Sequence, residues 1–153
     1  MADTSLNENR LSLLVWQTSN LWQSKIRLIL KNSNITFNEY LILETLYNLQ
    51  QKQQIITQQD ICKNSSIDRS VASLKITNLE QKKLINRSHS KDKRSYALIL
   101  TSNGNFLVES LIKNIENQEN IIFEKLGSEI FNFTNSLKLL LGKKIRIKAN
   151  YNE

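Results

Sequence analysis

Near the start of the chain, apolar residues fall at three- and four-residue steps: Leu11, Leu14, Val15, Leu21, Trp22, Ile26, Ile29 and Leu30. That spacing predicts a long amphipathic helix over residues 6–32, with Ser5 and Glu8 as an opening capping pair. The pattern stops at Lys31-Asn32-Ser33-Asn34. It resumes behind Thr36-x-x-Glu39, a second capping box, in a helix carrying Phe37, Tyr40, Leu41, Leu43, Leu46 and Leu49 inward or nearly so. A polar turn leads to the apolar pair Ile55-Ile56. Thr57-x-x-Asp60 then opens a short helix through Ile61 and Cys62, Asn64-Ser65-Ser66 turns the chain, and Asp68 is placed to cap a helix ending near Lys82. Two β-prone runs, 84–89 and 95–100, bracket a charged loop and read as a hairpin. Helix restarts at Thr101 or Ser102. Leu107, Leu111, Ile115, Ile122 and Leu126 form one stripe up to Gly127, and a last helix runs from Ser128 through Leu141 to Gly142. The tail beyond it, basic and polar, is expected to fray.

Short helix, tight turn, second helix and hairpin is the order of a winged helix-turn-helix. The fold class expected is mainly α with a small β-hairpin wing. The whole of 1–153 forms one protomer, with the winged lobe at 36–101 and helical segments at 6–32 and 102–148.

Composition narrows the class. Apolar residues make up 40% of the chain and charged residues 23%, enough to bury a core, while proline is absent and glycine occurs three times. Such a chain lacks the frequent tight turns of an all-β sandwich. No apolar run approaches the ~20 residues needed to cross a bilayer. The opening residues lack the basic start and apolar stretch of a secretory signal, and the single cysteine cannot form an internal disulfide. A cytoplasmic protein without a membrane partner is therefore expected.

The net charge of +7 is unevenly distributed. Residues 1–62 are neutral, 63–100 carry +6, 101–137 carry −3 and 138–153 carry +4. A basic central segment on a neutral or acidic body points to a polyanion. A solvated lysine-rich surface is the plain alternative, and the layout of the segment argues against it. At about 100° per residue, Ala72, Ile76 and Leu79 share one face of the second helix. Ser70, Leu74, Thr77 and Gln81 lie opposite, flanked by Ser73 and Asn78. An ordinary solvated helix carries mostly Glu and Lys outward. Short hydroxyl and amide side chains instead let a helix approach base edges, and an exposed leucine can touch a thymine methyl. Arg69, in the first turn, reaches a phosphate or a guanine. Lys91, Lys93 and Arg94 at the hairpin tip suit the negative minor groove, with Asp92 orienting Arg94. The helix opened by Thr57 points its amides outward for a phosphate, assisted by Gln58.

These residues bring a family into view. Thr57-Gln58, Asp68-Arg69-Ser70-Val71-Ala72-Ser73, Leu79-Glu80, Leu84-Ile85 with Arg87, Asp92-x-Arg94, and Leu98-x-Leu100-Thr101 with Gly104 occur in order and with family-like spacing. In these pieces the chain resembles the MarR family of bacterial transcription regulators. The resemblance implies a homodimer in which 6–32 and 102–148 of both chains form the interface. Two recognition helices and two wings would then address a pseudo-palindromic site on double-stranded DNA, with half-sites about 34–36 Å apart. It also implies repression relieved by a small aromatic effector. Base-facing positions fall on Ser70, Ser73, Leu74, Thr77 and Asn78, and the wing arginine on Arg94; Arg87 belongs to the matching motif and to the expected DNA-binding set. The family usually has glycine where this chain has Lys83. If the backbone there is left-handed, lysine costs roughly 1 kcal/mol. Lys75 also replaces a more usual apolar residue, and can snorkel towards the phosphates.

Other features carry weaker signals. Trp16, Trp22, Phe37 and Tyr40 serve either core and dimer packing or the wall of an effector pocket. Cys62 shares an apolar stripe with Ile61 and is expected to be a buried, inert thiol rather than a redox sensor. His89 is the only histidine, so neither a metal site nor a cofactor is expected. No enzyme is expected either, because a glycine-rich phosphate loop, a G-x-S-x-G elbow and paired cysteines are all missing from the sequence. The competing reading is a winged-helix protein-interaction module whose basic face takes an acidic protein partner. The polar face of residues 70–81 disfavours it, since such surfaces carry larger apolar or aromatic patches.

Overall fold

The computed structural model of the chain describes residues 10–89 and 96–147. The elements are α1 (Leu11–Leu30), a 3-10 turn (Lys31–Ser33), α2 (Phe37–Gln50), α3 (Gln58–Ser65), α4 (Arg69–Gln81), β1 (Ile85–His89), β2 (Tyr96–Leu100), α5 (Ser102–Phe123), a 3-10 stretch (Glu124–Glu129) and α6 (Ile130–Leu140). This is the mainly helical winged fold expected. The capping pair Ser5/Glu8 and the wing tip with Lys91, Asp92, Lys93 and Arg94 lie outside the described residues.

Local chemistry starts the helices where the sequence places them. Thr36 Oγ1 accepts from Glu39 N while Glu39 Oε2 accepts from Thr36 N, the reciprocal capping box that opens α2. Thr57 and Asp60 repeat the arrangement at α3. Each box satisfies two amides that would otherwise lack partners. Asp68 occupies the N-cap position of α4, but its carboxylate makes no capping bond; its carbonyl accepts from Ala72 N at 2.8 Å.

The chain clusters into two units that divide between Gln118 and Glu119. In the first, one continuous core joins Ile26 and Leu30 of α1, Tyr40, Ile42, Leu43 and Leu46 of α2, Ile61 of α3 and Ala72, Ile76 and Leu79 of α4. Ile85, Leu98 and Leu100 of the hairpin and Val108, Leu111 and Ile115 of α5 complete it. Burying each leucine or isoleucine contributes roughly 1.5–3 kcal/mol. Ile42 is fully buried although the sequence pattern did not single it out.

The hairpin is antiparallel, from Ile85 opposite Leu100 to His89 opposite Tyr96. The outer edge of β2 is also occupied. Leu98 N donates to Ile56 O at 2.7 Å, and Leu100 N donates to Gln50 Oε1 at 3.0 Å. A glutamine side chain thus stands in for a neighbouring strand, which removes an edge that could pair with another chain.

The second unit differs from the sequence expectation. α5 ends at Phe123, and Gly127 sits at φ 52, ψ −125, between α5 and α6. α6 therefore begins at Ile130 rather than Ser128. The chain after α6 is tied at one point, where Asn135 Nδ2 donates to Arg146 O and Arg146 N donates back to Asn135 Oδ1. Among the described residues no helix is long and apolar enough to cross a membrane.

Candidate nucleic-acid interface

α4 turns Ala72, Ile76 and Leu79 into the core and leaves Arg69, Ser70, Ser73, Leu74, Thr77 and Gln81 exposed. Val71, Lys75 and Asn78 are half-buried at the margins. Leu74 is 59% exposed, an apolar side chain held outward among hydroxyls and amides. The outward face is thus the one the helical wheel assigns.

Both ends of α4 are anchored. At its start, Gln58 Nε2 of α3 donates to Arg69 O at 3.4 Å. At its end, Lys83 adopts φ 60, the left-handed conformation for which a lysine bears the expected penalty. Lys83 N donates to Glu80 O at 2.9 Å and Leu84 N to Leu79 O at 3.0 Å, the paired bonds of a Schellman turn. Thr101 grips the same turn: its hydroxyl donates to Lys83 O at 2.8 Å, its amide donates to Leu84 O at 3.0 Å, and Gly104 N donates to Thr101 Oγ1 at 2.9 Å. A Cβ on Gly104 would stand 2.0 Å from Leu84 O, so only glycine permits this approach of α5 to the turn.

An ion pair between a partly exposed lysine and a buried carboxylate adds a second anchor. Lys82 Nζ donates to Glu39 Oε2 at 2.7 Å and to Asn34 O at 2.6 Å. Asn34 itself is left-handed at φ 52. The end of α4 is thereby tied to the α1–α2 junction. Sequence reasoning found Glu39 as a capping residue but missed its burial and its partner.

Arg87 of β1 lies against α4. Its Nη2 donates to Thr77 Oγ1 at 3.0 Å. Its Nε sits 3.2 Å from Glu80 Oε2, an ion pair without the alignment of a hydrogen bond. The guanidinium is therefore engaged within the protein. Thr57 likewise spends its hydroxyl on capping, accepting from Asp60 N and donating to Asp60 Oδ2 at 3.0 Å.

Thr57, Gln58, Cys62, Arg69, Arg87 and Tyr96 line a cleft of about 500 Å³ between α3, α4 and the hairpin. Cys62 is half-buried there rather than buried as expected. Of the four aromatics singled out for an effector, the structure brings two together. Trp22 and Phe37 meet edge to face at 5.1 Å, and Arg27 lies over Phe37 at 5.6 Å from its centroid. Tyr40 is inside the core and Trp16 is 63% exposed. A shallow cavity of about 380 Å³ beside Phe37 is lined by Arg27 and Lys75 as well.

Residues 35–96 match the sequence model of the MarR family. Among solved structures, the chain is similar to MepR of Staphylococcus aureus, determined as a DNA complex, at 29% identity and a TM-score of 0.78, over 87% of this chain and 96% of that one. It is also similar to NadR, solved with 4-hydroxyphenylacetate, at 26% identity and a TM-score of 0.72, over 88% and 93% of the two chains. BpsR of Bordetella bronchiseptica, at 22% identity and a TM-score of 0.77 over 86% and 98%, shares the fold. No curated protein sequence matches the chain.

Proposed function

We propose that this chain, whose residues 35–96 match the MarR family model and whose fold is similar to that of MepR, is a sequence-specific DNA-binding repressor acting as a homodimer on a pseudo-palindromic operator. The observation that carries the proposal is the outward face of α4: exposed Ser70, Ser73, Leu74 and Thr77 behind a first-turn Arg69, in a segment of +6. Small polar side chains on a rigidly anchored helix fit a major groove, where bases present distinct donors and acceptors. Asn78 adds an amide at the margin of that face. Lys75 supplies a phosphate contact, as does the start of α3 through Gln58, whereas Thr57 is taken up by its capping box with Asp60. Lys91, Lys93 and Arg94 enter the minor groove. The similarity to MepR, solved on DNA, supports this reading.

Dimerisation is supported by apolar surface that a lone chain would leave in water. In α1, Leu11, Leu14, Val15, Trp16 and Leu21 are exposed; in and just after α6, Leu137, Leu139, Leu140 and Leu141 are exposed. Surfaces of this kind mark association sites. A small aromatic acid is the proposed effector. Phe37 offers its ring and Arg27 and Lys75 their charges, and the similarity to NadR supports the class. A ligand that prefers one spacing of the two winged lobes would shift the population away from the DNA-competent state.

Gel-shift titration on genomic fragments at rising salt tests the proposal. Affinity should fall steeply as phosphate contacts release counterions. Binding without salt dependence, or without preference for any fragment over random duplex, overturns it.

A further inference from the structure

The hydroxyl of Thr77 is exposed on the outward face of α4, yet it is already engaged on two sides. It donates to Ser73 O, one turn back, at 3.1 Å. It accepts from Arg87 Nη2 at 3.0 Å, and Arg87 is itself held by Glu80. A hydroxyl has one hydrogen and two lone pairs. The hydrogen is committed to Ser73 and one lone pair to Arg87, which leaves a single lone pair for an outside partner. Thr77 can accept, and it has no proton left to give.

We propose that Thr77 is a specificity-determining residue of fixed polarity, reading the amino group of adenine or cytosine and rejecting guanine and thymine on the contacted strand. In the major groove the donors are adenine N6 and cytosine N4, while guanine and thymine present acceptors at O6, N7 and O4. An acceptor facing an acceptor leaves both without a partner, the costly case. Arg87 is a positioning residue in this scheme. It acts through Thr77, and its contact with α4 sets which way the hydroxyl's remaining lone pair points. The inference rests on the reading of α4 as the helix that enters the groove.

In vitro selection from a random duplex library, with the full chain and its variants, tests it. The wild-type chain should select half-sites in which one position is restricted to adenine or cytosine on one strand. Thr77→Val, which keeps the shape and removes the acceptor, should lose about tenfold discrimination at that position and no other. Thr77→Ser should retain it. Arg87→Met releases only the lone pair that Arg87 held, while the hydrogen stays on Ser73 O, so the preference for adenine or cytosine should weaken at that position without switching to guanine or thymine. A thermal melt of each variant separates lost reading from lost folding. A motif unchanged in Thr77→Val, or an Arg87→Met motif that switches at that position to the bases the wild type excludes, overturns this inference while leaving the regulator reading intact. A wild-type chain that selects no motif overturns both.

Discussion

Lys82 Nζ lies 2.7 Å from Glu39 Oε2, a carboxylate only 2% exposed. One ammonium thereby joins the C-cap of α4 to the first turn of α2, and through Asn34 O to the junction between α1 and α2. The same carboxylate closes the capping box with Thr36. Position and orientation of the outward-facing helix thus depend on a pair formed far from that face.

Removing the lysine leaves a buried carboxylate with little to offset its desolvation. Lys82→Met should destabilise the fold by about 2–3 kcal/mol, less than for a fully buried pair because the lysine is 30% exposed. Urea denaturation checks it. The double variant Glu39→Gln/Lys82→Met should recover part of the loss, since neither charge is then stranded.

Gly104→Ala should be among the most damaging single-methyl changes in the chain. The new Cβ would stand 2.0 Å from the Leu84 carbonyl oxygen, so α5 or the Schellman turn must move. A loss of about 3 kcal/mol or more is expected. Gly142→Ala is the control: at φ +67 with open space around it, it should cost about 1 kcal/mol. Thermal melts of the two variants read the difference.

Lys83→Gly should stabilise the protein. At φ 60 the lysine bears a left-handed penalty that glycine does not. A gain of about 1 kcal/mol, seen as a higher melting temperature, is expected.

Leu74→Ala should separate folding from recognition. The side chain is 59% exposed, so unfolding free energy should change by less than about 0.5 kcal/mol. Operator affinity should fall by about 1 kcal/mol, roughly fivefold, through lost apolar contact with a base methyl. Fluorescence anisotropy on the selected operator measures it.

The elements legible in the sequence are those whose causes are local. Thr36-x-x-Glu39 and Thr57-x-x-Asp60 cap α2 and α3 because a hydroxyl and a carboxylate three residues apart satisfy each other's amides. Ala72, Ile76 and Leu79 face inward because helical geometry alone puts them on one side. The left-handed turn at Lys83 was legible through family resemblance, since its glycine is the residue that such a backbone favours.

Where local patterning fell short, the missing term was a partner distant in sequence or a choice between equal local options. The stripe from Leu107 to Leu126 reads as one helix up to Gly127, yet α5 ends at Phe123 and a 3-10 stretch fills Glu124–Glu129 around the positive-φ glycine. Gln50 reads as part of a polar turn, yet its amide completes the edge of β2 fifty residues on. Thr77 and Arg87 each read as a hand held out to DNA, and folding joins them to one another.

Periodicity, capping and charge placement, set along the chain itself, determined that there would be a winged lobe with a basic, hydroxyl-lined helix. Tertiary structure alone decided how that helix is held and which of its polar groups remain available. Hydrogen bonds and buried charges are settled by proximity in space, and Glu39 and Lys82 become neighbours only once the core between α2 and α4 has closed.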